Sequence, residues 1–300
     1  MSNNTDLAGL YSVIEESSRL VDVACAHDTV WPILSAFEDT LAQAVIAFRV
    51  ATGERNAGDF DCRFTMLPQG LDPYATAVAN GLIAPTDHPI GSLLGELDRH
   101  FPLSHSGIDF GVVGGFKKTW SFFPTDALQS LADLTQLASM PAGAAANLDF
   151  FTRYDLADRV SLVGIDYPHK SLNLYFGAAP AETFSAQNLT ALLRDAGLPA
   201  PSERLLKLGA QAFGIYATLS WESTRVERIT IAAMTPDPML LPVPIEPKIE
   251  HYVKKAPYST DDRQFVYAIT SAPTGEYHKL QSYYKWHSQV ENTLLVPDSR

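Results

Sequence analysis

The sequence has little cysteine and no excess of positive charge, and both shortages exclude classes of protein. Two of its 300 residues are cysteines, Cys25 and Cys62, and no CxxC pair or histidine pair accompanies them. A zinc site or a disulfide framework is therefore not indicated, and a reduced cytoplasm is the expected compartment. Acidic residues outnumber basic ones by 34 to 22, for a formal net charge of -12. A protein that binds nucleic acid through its phosphates has the opposite balance, so nucleic acid is not an expected partner.

Long hydrophobic runs are missing as well. No stretch approaches the roughly 20 apolar residues of a membrane span, and the first residues carry acids where a signal peptide carries bases. We therefore expect neither membrane insertion nor export. Hydrophobic residues still make up 46% of the chain and charged residues 19%, which is typical of a folded protein with a large core.

Five pairs of β-rich segments, each pair separated by a cluster of turn residues, recur along the chain. The pairs are 44–52 with 59–67, 104–111 with 115–123, 159–167 with 171–176, 210–221 with 226–234, and 263–271 with 276–286. Their turns are spaced by roughly 55 residues, as expected for five copies of one unit. Segments with helical periodicity lie between the hairpins, at 6–21, 72–82, 90–100, 141–154 and 185–198.

This order predicts an α+β fold in which ten antiparallel strands close into a β-barrel surrounded by helices, as one domain over residues 1–300. Closure is favoured because it removes both edges of the sheet. A ten-stranded barrel is wide enough to hold a sizeable ligand. The alternative is two packed sheets without a cavity.

Successive side chains of a strand point to opposite faces, and in the second strand of each hairpin this alternation gives one apolar face and one polar face. Cys62 and Phe64, for example, lie opposite Asp61 and Arg63. The apolar face must meet the helices, so the polar face is expected to line the lumen. The inward cations are then Arg63, Lys118, Arg228 and Lys279, with His169 at the corresponding place in the third unit.

Such a basic ring inside an acidic protein indicates an anionic ligand. Burying several like charges is costly, and Asp61 alone cannot neutralise four permanent cations. The charge pattern suits a diphosphate, helped by Asn173 and the Tyr216 hydroxyl. The alternative is that some of these cations reach the barrel mouth as solvated charges.

Aromatic residues are expected on the same lumen face. They are Phe48, Trp120, Tyr175, Tyr216 and Tyr283, with Phe213 nearby. Aromatic residues in a barrel are often plain core. Beside fixed cations, however, they could stabilise an allylic carbocation while the cations stabilise the departing diphosphate.

These residues, in this arrangement, resemble the soluble aromatic prenyltransferases of the ABBA (PT-barrel) type, in particular the bacterial naphterpin-type enzymes. The similarity runs through VACAHDTVWPILSAFEDTL, DPYATAVANGL, GGFKKTWSFFPTD, LNLYF, YATLSWE, KAPY and EYHKLQSYY. It implies a barrel of five ααββ repeats and transfer of a dimethylallyl or geranyl group from its diphosphate to an electron-rich aromatic acceptor in secondary metabolism.

The strand faces and the resemblance together assign roles to residues. The expected diphosphate ligands are Arg63, Lys118, His169, Asn173, Tyr216, Arg228 and Lys279. The expected catalytic residues are Lys118, Arg228, Tyr216 and Tyr175. The expected acceptor pocket consists of Phe48, Trp120, Ser161, Tyr175, Phe213, Gly214, Val266, Tyr283 and Val290.

Several positions differ from the pattern of the naphterpin-type enzymes. Arg63 replaces a Ser, His169 a Lys, Trp120 a Tyr, Ser161 a Gln and Gly214 a Ser. We expect Trp120 to shorten or reshape the cavity beside the donor, and the two smaller residues to widen the acceptor side. A hydroxylated fused-ring acceptor is the expectation, with the donor length open between five and ten carbons.

Asp61 falls where the naphterpin-type enzymes hold magnesium. Arg63 lies two residues away on the same face, roughly 6.5 to 7 Å by backbone rise, and we expect it to pair with Asp61. No cofactor is then required, and magnesium would be held through Asp61 only if it is used. No lumen carboxylate is an obvious general base, and His169 lies near the diphosphate end.

Two other classes of function remain open. One is a non-catalytic barrel that carries an aromatic or phosphorylated metabolite, and the other is a diphosphate hydrolase with a metal-bound water. A monomer is expected, because five units that close on themselves need no partner.

Overall fold

Ten strands form one antiparallel sheet that closes on itself. The computed structural model describes residues 6–286, and in it the strands follow the order β1-β10-β9-β8-β7-β6-β5-β4-β3-β2 around the barrel. The strands are β1 Val45–Ala51, β2 Asp61–Leu67, β3 His105–Gly111, β4 Gly115–Phe122, β5 Val160–Asp166, β6 Ser171–Phe176, β7 Gly214–Ser220, β8 Arg228–Thr235, β9 Phe265–Ala272 and β10 Gly275–Lys285. The predicted closed barrel is confirmed.

Eleven helices in the described residues lie around the barrel. They are α1 Leu7–Arg19, α2 His27–Ala36, α3 Glu38–Leu41, α4 Pro73–Ala79, α5 Ile90–His100, α6 Leu131–Leu134, α7 Ala142–Ala146, α8 Leu148–Arg153, α9 Ala186–Asp195, α10 Glu203–Gly209 and α11 Pro247–Lys255. Short 3-10 turns occur at Glu54–Asn56, Ala181–Phe184 and Pro238–Leu240. None of the helices in residues 6–286 is long and apolar enough to cross a membrane.

The helices begin and pack as their sequences predict. Asp6, Asp72 and Ser185 cap the starts of α1, α4 and α9 by accepting backbone N–H groups of the first turn. In α5 the buried residues, Ile90, Leu93, Leu94 and Leu97, share one face. The largest buried apolar cluster lies between such helix faces and the outer surface of the barrel. The apolar face of each strand therefore points outward to the helices, and the opposite face points into the lumen.

All five predicted hairpins are present, with small differences at their ends. Residues 210–213 were expected to start a strand, but α10 ends at Gly209 and β7 begins only at Gly214. Five helices were not among the predicted segments: α2, α3, α6, α10 and α11.

The barrel has two distinguishable ends. Because neighbouring strands are antiparallel, the five hairpin turns that join β1 to β2, β3 to β4, and so on lie at one end, here called the turn end. The opposite end, which the helical connections reach, is called the far end. The distance of a residue from its hairpin turn therefore gives its depth in the lumen.

Candidate active site

A cavity fills the lumen, and its wall changes from charged to apolar along the barrel. The lysines and arginines of the wall lie within a few residues of the hairpin turns; they are Arg49, Arg63, Lys117, Lys118, Arg228 and Lys279. The apolar part of the wall lies toward the far end and includes Phe122, Leu162, Phe176, Phe213 and Val266. A ligand with one anionic end and one apolar end would match this gradient.

Most of the residues chosen from the sequence lie together in this wall. They are Asp61, Arg63, Lys118, Ser161, His169, Asn173, Tyr175, Phe213, Gly214, Tyr216, Arg228, Val266, Lys279 and Tyr283. Val290 lies outside the described residues. Trp120 is inside the barrel but behind the wall, under the guanidinium of Arg63, and is 1% exposed.

Phe48 is the exception, and the expectation that it lines the lumen is wrong. On β1 it pairs directly with Cys62 of β2, and directly paired residues share a face of the sheet. Cys62 belongs to the outward face, so Phe48 packs outside the barrel, 5.7 Å from Phe60 and 5.6 Å from Tyr284 between ring centroids. Its neighbour Arg49 points into the lumen instead.

The lumen holds more carboxylates than the sequence reasoning found. Besides Asp61, the charged end contains Asp59, Asp109 and Asp166. Asp109 and Asp166 lie on β3 and β5, the first strands of their hairpins, whereas the lumen cations were predicted from the second strands alone. The same alternation of faces places Asp109, Asp166 and Arg49 on the lumen side of the first strands. The assumption that Asp61 is the only carboxylate among these cations is therefore wrong.

The sequence predicts an ion pair between Arg63 and Asp61, and this prediction is wrong. Its Nε donates to Asp109 at 2.7 Å and its Nη2 at 3.0 Å, because Asp109 is directly opposite Arg63 on β3. Asp61 is directly opposite Arg49 on β1 and accepts from the Nε of Arg49 at 2.9 Å. Side chains directly across a sheet are closer than side chains two residues apart on one strand, so the cross-strand pairs form.

Asp61 is the residue at which a magnesium ion would be expected, and its contacts decide whether one fits. One carboxylate oxygen accepts from Arg49 and the other from the Nζ of Lys117 at 2.6 Å. Burial alone would raise the pKa of Asp61, but Arg49 and Lys117 outweigh it and hold the pKa well below its usual range. Both oxygens are thus engaged by cations, and no cluster of three acidic, histidine or cysteine side chains within residues 6–286 could hold a metal ion. The residues present do not fit a magnesium site.

Lys117 reaches the lumen through a bulge in β4. Asp109 pairs with Lys118 and Phe110 pairs with Phe116, which leaves Lys117 as an extra residue on β4. A bulge lets two consecutive side chains face the same side of a sheet. Strand alternation does not predict that Lys117 faces the lumen, because alternation assumes an uninterrupted strand.

Lys118, Asp166 and His169 form a group at the turn end. The Nζ of Lys118 lies 2.7 Å from Asp166, and His169 Nδ1 lies 2.9 Å from the other oxygen of the same carboxylate. Burial would raise the pKa of Asp166, but Lys118 and His169 hold it well below its usual range. Half of the His169 side chain remains exposed, so it lies at the edge of the cavity.

An aromatic stack borders the cations. The rings of Tyr175 and Tyr216 stack with centroids 4.2 Å apart, and Trp120 meets Tyr175 edge-on at 5.3 Å. The Nζ of Lys279 lies 5.4 Å from the centre of the Tyr216 ring. Burial raises the pKa of Tyr216 to about 12, so its phenol is neutral near pH 7. Electron-rich faces and fixed cations therefore adjoin in the middle of the lumen.

Gly164 makes room for Trp120. A Cβ added at Gly164 would lie 2.3 Å from the Trp120 ring, so only glycine fits there. The Trp120 Nε1 also donates to Asp109 at 2.9 Å. The indole is thus fixed both by its packing and by its hydrogen bond.

Asn173 is oriented by its neighbour on β7. The Thr218 hydroxyl donates to Asn173 Oδ1 at 2.7 Å, so the amide N–H groups of this cavity-lining residue are available to a ligand. An amide that donates into a basic cavity suits an anionic oxygen.

The far end of the cavity is roomy on one side. A Cβ added at Gly214 would have nothing within 4 Å, so this part of the wall is open. Tyr283 also lines the cavity; Trp286 supports its ring at 4.5 Å between ring centroids, and burial raises the Tyr283 pKa to about 12. Ser161 lines the same region, and its hydroxyl lies 3.3 Å from the Tyr175 carbonyl.

The fold and the lumen together define a class of enzyme that moves a group from a diphosphate to an aromatic acceptor inside a closed barrel. Cations at one end can hold the diphosphate, and stacked aromatic rings border the space where the group would leave it. Comparison with known proteins agrees: the family model for aromatic prenyltransferase Orf2 matches residues 5–292. The chain therefore belongs to this family.

Three relatives cover nearly the whole chain. The 5,10-dihydrophenazine-1-carboxylate 9-dimethylallyltransferase of Streptomyces anulatus is 55% identical over 99% of both chains. The flaviolin linalyltransferase of Streptomyces virginiae is 50% identical, over 98% of this chain and 97% of its own. The furaquinocin biosynthesis prenyltransferase of a Streptomyces species is 50% identical, over 94% and 92% respectively. The protein is an aromatic prenyltransferase, as the sequence predicted, and not a metabolite carrier.

Proposed function

We propose that this enzyme transfers a dimethylallyl or geranyl group to a hydroxylated fused-ring aromatic without a divalent cation. The observation that carries the proposal is the gradient in the cavity wall, which Lys118, Arg228 and Lys279 share with the stacked rings of Tyr175 and Tyr216. The cations match the diphosphate of the donor, and the rings match the allylic cation that forms when it leaves.

The reaction we propose is a dissociative electrophilic aromatic substitution. The bond between C1 of the donor and its bridging oxygen breaks, and the electron pair leaves with the diphosphate. The cationic side chains stabilise that charge, while Tyr175 and Tyr216 face the allylic cation. An aromatic carbon of the acceptor then bonds to C1, and the arenium ion loses a proton.

Water or the diphosphate is the proposed acceptor of that proton. Asp61, Asp109 and Asp166 each lie against lysine or arginine side chains that hold their pKa values low. A carboxylate with a depressed pKa is a poor base. This supports the expectation that no lumen carboxylate acts as the general base.

Independence of magnesium is supported by the contacts of Asp61. Arg49 and Lys117 supply the positive charge that a metal would otherwise bring to this carboxylate. We propose that these two side chains take the place of the ion, which revises the expectation that Arg63 does so.

The acceptor class is supported by the open wall at Gly214 and by the relatives. One relative is named for a three-ring carboxylate and another for flaviolin. Their names also include one dimethylallyl and one linalyl group, so five- and ten-carbon donors are both proposed here.

The enzyme is further proposed to act as a cytoplasmic monomer without a membrane or nucleic-acid partner. The closed sheet supports the monomer, because it leaves no free strand edge for pairing with a second copy. Sedimentation equilibrium of the purified protein tests it, and a stable dimer at micromolar concentration would contradict it.

An acceptor screen tests the proposed reaction. The enzyme is incubated with dimethylallyl or geranyl diphosphate and a panel of dihydroxynaphthalenes, 5,10-dihydrophenazine-1-carboxylate and flaviolin, with EDTA or with magnesium. We expect a mass gain of one prenyl group on a fused-ring acceptor, at equal rates in both arms. Loss of turnover in EDTA, restored by magnesium, contradicts the metal-free proposal.

Two variants test the diphosphate site. Lys118→Ala and Arg228→Ala should each lower kcat/KM for the donor by about 100-fold or more, since each removes a cation from the departing charge. Lys254→Ala, on the exposed face of α11, is the control and should retain full activity. Near-normal turnover in either cavity variant contradicts the assignment.

A further inference from the structure

Lys279 differs from the other cations of the cavity wall in having no carboxylate partner. In residues 6–286, each of the other five lies within 4 Å of an acid: Arg49 and Lys117 with Asp61, Arg63 with Asp109, Lys118 with Asp166, and Arg228 with Glu227. No acidic oxygen of the described residues lies that close to Lys279. Its Nζ instead lies near the rings of Tyr216 and Tyr277, at 5.4 and 5.1 Å from their centres.

The side chains around Lys279 add positive charge but no negative charge. Directly across the sheet it faces Ala51 on β1 and Ala268 on β9. The four charged groups that act on it most strongly are all cations, Arg49, Lys118, Arg228 and Arg63. The polar residues of its own strand face, Tyr277 and Gln281, are uncharged.

An ammonium group that is partly buried in the wall of a cavity, among like charges, is disfavoured. Burial and then the charges of Arg49 and Lys118 lower the pKa of Lys279 well below its usual range. Burial also lowers the pKa of Lys118, but there the carboxylate of Asp166 opposes the effect. Lys279 has no such opposing group in the described structure.

We propose that Lys279 is uncharged in the donor-free enzyme and takes up a proton from solvent when the prenyl diphosphate binds. The proposal rests on the proposed function, because it requires that the diphosphate sits among these cations. The negative charge of the donor reverses the local balance, so the ammonium form becomes favourable only when the donor is present. Lys279 then completes the set of charged diphosphate ligands, and its proton is released when diphosphate leaves the cavity.

This coupling has a use in catalysis. Without the donor, a neutral Lys279 adds no further positive charge to the cavity wall. When the donor binds, Lys279 is protonated and becomes the last of the cations. An acceptor that enters alone carries no diphosphate and leaves Lys279 neutral, so the full electrostatic pull on the leaving group exists only in the donor complex.

Calorimetry in buffers of different ionisation enthalpy measures the proton. The probe is dimethylallyl S-thiolodiphosphate, a thioether analogue of the donor that resists ionisation, titrated into the whole enzyme without acceptor near pH ~8.5. A terminal phosphate with a pKa of about 6 is fully ionised there and contributes no proton of its own. The wild type should take up close to one proton per bound analogue.

Lys279→Arg is the matched variant, because its guanidinium stays charged at every accessible pH. It should bind the analogue with no net proton uptake. Lys254→Arg, on the exposed face of α11, is the control and should show the same uptake as the wild type. Uptake that persists in Lys279→Arg overturns the assignment to Lys279.

The pH dependence of wild-type binding gives a second measurement that needs no variant. If one proton is taken up, the dissociation constant of the analogue should rise toward ~10-fold per pH unit above the pKa of the free enzyme. Tight binding that is independent of pH and releases or absorbs no proton overturns the inference but leaves the donor site intact. An analogue that does not bind the wild type at all overturns the proposed function instead.

Discussion

Arg63 and Asp109 lie directly opposite each other on β2 and β3 and form a two-pronged ion pair inside the barrel, at 2.7 and 3.0 Å. The guanidinium carbon of Arg63 also lies 4.1 Å from the centre of the Trp120 ring, and the indole donates to the same carboxylate at 2.9 Å. Asp109 is 1% exposed. One buried carboxylate therefore fixes both a cation and an aromatic ring beside the cavity.

Replacing Asp109 with Asn should destabilise the protein strongly. Arg63 would remain buried without its counter-charge, and breaking a buried ion pair costs about 3 to 5 kcal/mol. Urea unfolding of the variant measures the loss. Asp158→Asn, at an exposed position, is the control and should stay within about 0.5 kcal/mol of the wild type. A loss of less than about 1 kcal/mol for Asp109→Asn would show that the pair is not structural.

Trp120 is predicted to limit the length of the donor. Its ring fills the space above Gly164 and packs edge-on against Tyr175, so Trp120→Ala should extend the cavity beside the prenyl chain. The ratio of kcat/KM for geranyl to that for dimethylallyl diphosphate should rise by about 10-fold or more.

The matched control for this variant is Phe48→Ala. It also removes a large buried ring, but one that packs outside the barrel against Phe60. It should lower the free energy of unfolding by about 3 to 5 kcal/mol and leave the ratio between the two donors unchanged. An unchanged ratio in Trp120→Ala would mean that another residue sets the chain length.

Two variants of Tyr216 separate the catalytic effect of its ring from that of its hydroxyl. Tyr216→Phe keeps the stack on Tyr175 and loses the hydroxyl, whereas Tyr216→Ala loses both. If the ring stabilises the allylic cation by about 0.5 to 2 kcal/mol, kcat should be lower in the Ala variant than in the Phe variant by about 2- to 30-fold. Single-turnover kinetics with saturating donor measure this step. Equal values of kcat for the two variants would show that the Tyr216 ring does not contribute to catalysis.

Acid should unfold the protein through its lumen carboxylates. Burial acts to raise the pKa values of Asp61, Asp109 and Asp166, but nearby cations lower them below their usual range. A carboxyl group whose pKa is lower in the folded state stabilises the fold above its unfolded pKa, about 3.9 for aspartate. That stability is lost progressively as pH falls below this value.

Urea unfolding at pH ~7, ~4 and ~2.5 measures the loss of stability in acid. Asp61→Asn should show a smaller decrease over this range than the wild type, because one of the groups no longer titrates. Asp158→Asn should decrease as the wild type does. Parallel curves for all three proteins would mean that Asp61 contributes nothing to the acid sensitivity.

The lumen-facing residues of the second strands could be predicted because strand periodicity is local. Asp61, Arg63, Lys118, Asn173, Tyr175, Arg228 and Lys279 all lie in the cavity wall. Their functional roles remain predictions that the variants above test. Lys117 could not be predicted from periodicity, because the bulge that turns it inward depends on how β4 pairs with β3.

The ion-pair partners of the charged lumen residues could not be predicted from the sequence. Asp61 and Arg63 are close along the chain, yet each pairs with a residue across the sheet, Arg49 and Asp109 respectively. Those pairs depend on strand register, which a single sequence does not state. Phe48 was misplaced for the same reason, since its pairing with Cys62 decides its face.

The sequence by itself determined the repeating hairpins, the closed barrel they form, and an interior more basic than the acidic chain as a whole, because turn residues, periodicity and charge are properties of local sequence. The tertiary structure alone decided which charges cancel. Barrel closure and register bring Asp59, Asp61, Asp109 and Asp166 against four of the six cations of the wall, and among the described residues they leave Lys279 without a carboxylate partner. Electrostatic energy depends on distances through space, and these are set only when distant strands are side by side.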